Sequence, residues 1–148
     1  MTGDPESRDA RFARGAKVLI DINAGSGAGL VNSLADVSPE LAHQIVAWAF
    51  GEIYPRPALA PRERQLITLA MLAAQGDTEA ELRTHIAASL DVGLSPVEIV
   101  EVFLQAAVYC GFPRALNATF EAKKAFAERG LLAPVDSSPG GGGDGGDL

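Results

Sequence analysis

The strongest constraint on the fold is a succession of helix start and stop signals along most of the chain. Proline at the first helical position and glycine just past the last one are typical helix boundaries. Such signals frame segments that begin at Pro61 and Pro96 and end at Gly76 and Gly111. Apolar residues recur at helical spacing, and no segment shows the sustained alternation of a half-buried strand. The sequence therefore predicts an all-α fold of about six helices.

The N-terminal half contains two predicted helices. One spans about Asp9 to Ile22 and is followed by Ala24–Gly29. We interpret this glycine-rich stretch as a flexible linker, because a phosphate-binding loop would follow a strand and carry a lysine. Ser38 and Pro39 have the form of an N-cap and a first helical residue. The helix that they start is predicted to bury one apolar face, formed by Leu41, Ile45 and Trp48.

The C-terminal half contains four predicted helices. The stretch Leu66–Ala74 is apolar nearly all round the helix axis, which predicts a buried helix. Thr78-x-x-Glu81 and Ser95-x-x-Glu98 both have the form of a capping box, which satisfies backbone donors at a helix start. The last helix is predicted to pack through Leu116, Phe120 and Phe126.

The composition predicts one globular domain over residues 9–133 of the 148-residue chain, after a flexible N-terminus at 1–8. Residues 134–148 are rich in glycine and aspartate and are predicted to be disordered. The net charge of −7 argues against nucleic acid as a partner. Without a long apolar run or an apolar signal-peptide core, we expect a cytoplasmic protein with no membrane partner. One cysteine and two widely separated histidines form no metal-binding pattern.

Three motifs resemble those of a known family. They are, in chain order, Phe50–Pro57 with Leu66–Ala70, then Glu81–His85, then Glu98–Val102 leading into Gln105–Pro113. Their order and spacing resemble the carboxymuconolactone decarboxylase family. The resemblance implies the helical fold of the alkylhydroperoxidase D-like superfamily and assembly as trimers or hexamers. It also implies decarboxylation of 4-carboxymuconolactone to an enol-lactone during aromatic-compound breakdown, without a metal or organic cofactor.

Two residues are predicted to be catalytic, His85 and Glu98. Decarboxylation of such a lactone leaves an electron pair that must delocalise into the ring carbonyl and then be protonated. His85 belongs to the second motif, and histidine titrates near neutral pH, which favours a proton donor over the alternative of a partly buried structural residue at the edge of the apolar stripe. Glu98 lies twelve residues before Cys110, as a glutamate does before the first active-site cysteine of the peroxidase branch. Glu98 has a second interpretation as the capping partner of Ser95, and the two roles are compatible.

Several further residues are predicted to bind substrate. Arg56 and Arg64 offer guanidinium groups, which pair with carboxylates through two parallel hydrogen bonds. Cations in a first helical turn oppose the helix dipole, so Arg62 and Arg64 need a carboxylate from the protein or the substrate. We expect Arg64 to line the site or an interface and Arg62 to be solvated. Pocket lining and core packing both remain open for Tyr54, Tyr109 and Cys110.

Three hypotheses for the function remain at this point. The first is a cofactor-free decarboxylase of a carboxylated lactone, the second is another enzyme that tailors or isomerises a carbonyl substrate, and the third is a non-catalytic oligomeric binding protein. Peroxidase chemistry is disfavoured because Pro113 and Asn117 occupy the positions of the second cysteine and a histidine in the peroxidase branch. We also expect a homo-oligomer, because two helices are apolar nearly all round, which is more than a monomer of this size needs to bury.

Overall fold

The computed structural model describes residues 6–23 and 27–132, which form a bundle of helices. The helices are Arg8–Asn23 (α1), Gly27–Leu34 (α2), Pro39–Gln44 (α3), Ile45–Ile53 (a π-helix that continues α3), Pro61–Gln75 (α4), Glu79–Asp91 (α5), Pro96–Cys110 (α6) and Phe112–Glu128 (α7). The described residues contain no strand, which confirms the all-α prediction, with seven α-helices and one π-helix instead of about six helices. No helix in this part of the chain is long and apolar enough to cross a membrane.

One of the two predicted capping boxes is present. At the start of α6 the Ser95 hydroxyl accepts a hydrogen bond from the Glu98 backbone at 3.3 Å, and the Glu98 carboxylate accepts one from the Ser95 backbone at 2.9 Å. The capping box predicted at Thr78 is wrong. The Thr78 hydroxyl instead donates at 2.9 Å to the Leu72 carbonyl, which also accepts from the Gly76 backbone at the end of α4.

The molecule has two apolar cores that meet at α5. The larger core lies between α4, α5, α6 and α7, where Leu69, Ile86, Ile99 and Phe103 are fully buried. The smaller core joins α1 and the π-helix to the end of α5 through Leu19, Ile22, Val46, Phe50 and Ala88. Helix α5 therefore holds the N-terminal helices against the C-terminal four.

The apolar face predicted for α3 is wrong. Trp48 is 59 % exposed and Leu41 is also exposed, whereas Ala42, Val46 and Phe50 form the buried face. The chain enters a π-helix at Ile45, in which each residue bonds to the one five positions on. The buried positions are spaced four residues apart and lie one or two positions after those of the predicted face, a difference that begins at Leu41 and Ala42, before the π-helix.

Several residues predicted to be buried are exposed in a single chain. Ile67 and Met71 lie on an exposed face of α4, and Leu116 and Phe120 do so on α7, whereas Phe126 is buried as predicted. Helical periodicity identifies an apolar face, but it does not say whether the same chain covers that face.

The predicted linker and tail fall largely outside the described residues. Ala24 to Ser26 and residues 133–148 belong to neither described range. Gly27 to Gly29 form the first turn of α2, so this half of the predicted linker is helical. Helix α1 begins at Arg8, the last residue of the predicted flexible N-terminus.

Candidate functional site

An open cleft of about 760 Å³ lies between α4 and α6. Its size is within the range of small-molecule sites. Most of its wall is apolar and comes from successive turns of the two helices. The lining residues are Leu66, Ile67, Ala70, Met71, Ala74, Glu98, Glu101, Val102, Gln105, Ala106, Tyr109 and Cys110. Three predicted site residues, Glu98, Tyr109 and Cys110, thus share one cleft.

Glu98 lies at the end of the cleft where α6 begins, and both of its carboxylate oxygens are bonded. Its Oε2 accepts hydrogen bonds from the Ser95 backbone at 2.9 Å and from the Ser95 hydroxyl at 3.0 Å. Its Oε1 forms an ion pair with the Arg62 guanidinium. The Ser95 backbone bond, followed by Arg62, lowers the pKa of Glu98 below its usual range. Glu98 is therefore ionised at neutral pH, which suits a base or an anchor better than a proton donor.

The Arg62 side chain is 43 % exposed, in line with the expectation that it is solvated, but its guanidinium also forms the ion pair with Glu98. Arg62 lies in the first turn of α4, where the helix dipole disfavours a cation. The Glu98 carboxylate supplies the compensating negative charge from the first turn of α6, where the dipole favours an anion. The pair thus joins the N-terminal ends of the two helices that form the cleft.

Tyr109 and Cys110 lie about three turns from Glu98, at the other end of α6. Tyr109 is 83 % exposed, so the alternative that it packs in the core is wrong within a single chain. Cys110 is half-buried, and its thiol donates to the Ala106 carbonyl at 2.7 Å. Twelve residues of helix separate Glu98 from Cys110 by about 18 Å along the axis. The two side chains are therefore too far apart for direct proton exchange.

His85 lies outside the cleft, where α5 packs against α4. The ring is half-buried, and its Nδ1 lies 3.0 Å from Oε1 of Gln65. Burial lowers the pKa of His85, and the smaller opposing effect comes from the charge of Glu81 one turn earlier. The imidazole is therefore neutral at neutral pH and becomes a good proton acceptor when a negative charge approaches.

Arg64, Arg56 and Tyr54 lie near the start of α4 and in the loop before it, and none of them lines the cleft. Arg64 donates to the Arg56 carbonyl at 3.0 Å. Its Nε is buried and has no hydrogen-bond partner among the described residues. Tyr54 stacks on Phe50 at 4.7 Å between ring centroids. The Tyr54 hydroxyl is 3.5 Å from that of Thr68, one turn after Arg64.

Two faces of α4 contact two different groups of site residues. Leu66 and Ile67 face the cleft, whereas Gln65 faces α5 and contacts His85. Sequence reasoning missed Gln65, although a signal was present. Gln65, Leu69 and Ala73 are spaced four residues apart and form the buried stripe of α4. A glutamine on such a stripe is unusual, because an amide loses its water bonds on burial.

Metal ligation finds no support in the described part of the chain. Among residues 6–23 and 27–132, no three histidine, cysteine, aspartate or glutamate side chains are grouped so that they could hold a metal ion.

Comparison with known proteins identifies the family. The profile of the carboxymuconolactone decarboxylase family matches residues 39–124. The chain is 33 % identical to a 4-carboxymuconolactone decarboxylase of Acinetobacter baylyi over 101 residues, which cover 68 % of this chain and 75 % of the relative. The chain belongs to the carboxymuconolactone decarboxylase family. A nitrosuccinic acid decarboxylase of Metarhizium robertsii is 36 % identical over 80 residues, 54 % of this chain and 55 % of that relative.

The family match covers the whole of the candidate site. Residues 39–124 contain the cleft, the Arg62–Glu98 pair and the Gln65–His85 contact, and they exclude α1 and α2. Both similar relatives are named as decarboxylases. A decarboxylase-like function is thus the one that these relatives have in common.

Proposed function

We propose that this family member is a carboxy-lyase that acts on a small carboxylated lactone of the 4-carboxymuconolactone type. The observation that carries the proposal is the similarity to a 4-carboxymuconolactone decarboxylase over three quarters of that relative. The site supports it through one neutral histidine, one ionised glutamate and two nearby arginines on and before α4. These groups suit an anionic substrate that must lose carbon dioxide and gain a proton.

The bond that breaks joins the ring carbon to its carboxylate. Carbon dioxide leaves, and the electron pair of that bond delocalises into the lactone carbonyl, whose oxygen becomes negative. We assign Arg64 to this charge or to a substrate carboxylate. Its buried Nε–H is unpaired among the described residues and is free to donate. Arg56 places a second guanidinium in the same loop region, and its backbone carbonyl accepts a hydrogen bond from Arg64. Tyr54 is proposed to line the bound substrate near the start of α4, whereas Tyr109 lines the separate cleft between α4 and α6.

His85 is proposed to return the proton to carbon. Its lowered pKa keeps it neutral in the empty protein. Substrate carboxylates nearby would raise that pKa, because opposite charges favour the protonated ring. The ring then takes one proton from solvent as substrate binds, gives it to the ring carbon after carbon dioxide leaves, and is neutral again with product.

Glu98 is proposed to position the site, with proton transfer as its alternative role. Both of its oxygens are already bonded, to Ser95 and Arg62, and its lowered pKa disfavours the acid form. The open cleft that it borders is mainly apolar and is not lined by His85, so Glu98 acts on the proton-transfer group only through the packing of the helices. Cys110 is proposed to line this cleft without taking part in the reaction.

A second substrate class is a nitro-substituted dicarboxylic acid. The observation in its favour is the similarity to a nitrosuccinic acid decarboxylase. In both substrate classes the carboxylate that leaves is close to a group that can accept an electron pair, a conjugated carbonyl or a nitro group. The same arginines and histidine would therefore serve either reaction.

We further propose that the active form is a homo-oligomer, a trimer or a hexamer. Large apolar side chains form a stripe on α6 and another on α7, and both are exposed in a single chain. The stripes consist of Val97, Val100, Leu104 and Val108 on α6, and of Phe112, Leu116 and Phe120 on α7. A contiguous apolar surface of this kind is typical of protein interfaces. Light scattering at micromolar concentration should give a multiple of three chains, and a monomer would contradict this proposal.

The activity is tested by incubating the purified chain with freshly prepared 4-carboxymuconolactone, and in parallel with nitrosuccinate, while released carbon dioxide is measured. We expect release from at least one of them. Arg64→Met should raise KM or lower kcat by at least about tenfold, since charged hydrogen bonds contribute about 1.5–3 kcal/mol. Arg8→Met, which changes an exposed arginine of α1, is the matched control. Lactone isomerisation without carbon dioxide, or binding without turnover, would contradict the proposal.

A further inference from the structure

Gln65 is the most unusual buried polar group in the described residues. Its side chain is 0 % exposed, at the contact of α4 with α5. The other buried polar side chains form bonds that the fold itself explains. Thr78 and Ser89 donate to backbone carbonyls, and Glu121 pairs with Arg83 and Lys124. Gln65 bonds to a titratable ring instead, and its own Nε2 has no partner among the described residues.

The bond between Gln65 and His85 determines which ring nitrogen carries the proton. An amide oxygen can only accept, so Nδ1 of His85 must donate across the 3.0 Å contact. In a neutral imidazole the other nitrogen, Nε2, then has the free lone pair. The negative charge of Glu81, on the same helix, acts on the His85 ring. The hydrogen-bond partner of the ring is Gln65 on α4.

We propose that Gln65 is a positioning residue that holds His85 in the Nδ1–H tautomer, so that Nε2 is the atom that gains and gives the catalytic proton. This inference rests on the proposed function, in which His85 transfers the proton. Without Gln65 the neutral ring is free to carry its proton on Nε2, which removes the lone pair that accepts a proton as substrate binds. This role also explains why Nε2 of the Gln65 amide is unpaired, because the hydrogen bond to the His85 ring is enough to orient the amide.

The test reads the tautomer directly. The chain has two histidines, so ¹⁵N-labelled histidine gives two sets of ring signals, and His43→Gln identifies those of His85. We expect wild-type His85 to be protonated on Nδ1 at a pH where it is neutral. Gln65→Met has a similar length but no acceptor, and it should shift the ring towards the Nε2–H form. Gln75→Met, at the exposed end of α4, is the matched control and should leave the ring unchanged.

A second variant distinguishes a role of Gln65 in positioning His85 from a role in packing alone. Gln65→Glu retains an acceptor at the same distance, so it should keep the Nδ1–H tautomer, and its negative charge should raise the pKa of His85. For Gln65→Met we expect kcat to fall by at least about tenfold with KM nearly unchanged, a loss no larger than the 10²–10⁴-fold that the acid–base group itself contributes.

Two outcomes would overturn the inference. One is a wild-type His85 that is protonated on Nε2, and the other is a tautomer that Gln65→Met leaves unchanged. These results do not depend on activity. A wild-type protein that releases no carbon dioxide would contradict the proposed function, whereas a tautomer that responds to Gln65→Met would still support the positioning role.

Discussion

The contact between α1 and the π-helix provides a quantitative test of the packing. Gly15 on α1 faces the backbone of the π-helix so closely that a Cβ added to it would lie 1.9 Å from the Val46 carbonyl oxygen. Close C–H···O contacts have carbon–oxygen distances of about 3.3–3.6 Å. Gly15→Ala therefore requires the two helices to separate by roughly 1.4 Å, since the nearest obstacle is backbone and cannot rotate away.

The expected loss of stability follows from the side-chain contacts between α1 and the π-helix that this separation weakens. Leu19 and Ile22 are buried against Val46 and Phe50, and each such aliphatic side chain contributes about 1.5–3 kcal/mol when buried. A gap of 0.5–1 Å already removes about a quarter to a half of the dispersion energy at a contact. Over these four side chains the loss is about 1.5–6 kcal/mol, and after allowing about 1 kcal/mol for the better helix propensity of alanine we expect Gly15→Ala to lower the free energy of unfolding by about 0.5–5 kcal/mol.

Gly29→Ala is the matched control, because a Cβ at Gly29 in α2 meets no atom within 4 Å. This variant should be equal to wild type or more stable by up to about 1 kcal/mol. Urea unfolding followed by circular dichroism, at one fixed protein concentration, gives both values. If Gly15→Ala were as stable as Gly29→Ala, the close approach of α1 to the π-helix would be wrong.

Three further predictions concern the site. Glu98→Gln should reduce turnover by less than about tenfold if Glu98 anchors Arg62, whereas a 10²–10⁴-fold loss would assign it proton transfer; Ser95→Ala should destabilise the protein by about 1 kcal/mol and leave turnover intact. Cys110→Ser retains a donor to the Ala106 carbonyl and should keep most activity, and a loss beyond about a hundredfold, roughly 2.7 kcal/mol, would mean that the thiol takes part. Burial lowers the pKa of His85 in the folded protein. As the pH falls through about 6.5, the unfolded chain therefore takes up a proton on this histidine before the folded protein does. Urea titrations should show that stability decreases below that pH, and that the decrease is smaller in His85→Gln.

The fold was largely predictable from local signals in the sequence. Proline starts and glycine stops gave the bounds of α4 and α6 to within one residue, because they act through backbone geometry alone. The face of α3 was predicted wrongly because the larger apolar side chains, Leu41 and Trp48, lie on the exposed face, whereas the small Ala42 faces the core. The exposed face of α7 was not predictable, because periodicity does not distinguish burial within a chain from burial between chains.

The candidate site was only partly predictable. Glu98 and Cys110 line the same cleft, whereas the sequence left open whether Cys110 lines a pocket or packs in the core. The partners of the site residues depend on how helices distant in sequence pack together. Arg62 pairs with Glu98 across 36 positions, and Gln65 meets His85 across 20. No local pattern specifies such pairs, although a glutamine on the core stripe of α4 marks where one of them lies.

The most direct test of the central claim is the rate of carbon dioxide release by the wild-type protein and by His85→Gln with the substrate that the wild type accepts. Glutamine fills most of the space of the ring but cannot take up or deliver a proton at neutral pH. The proposed role of His85 predicts that kcat falls by about 10²–10⁴-fold, the range for the loss of a general acid or base. A folded His85→Gln protein that releases carbon dioxide at the wild-type rate would contradict it.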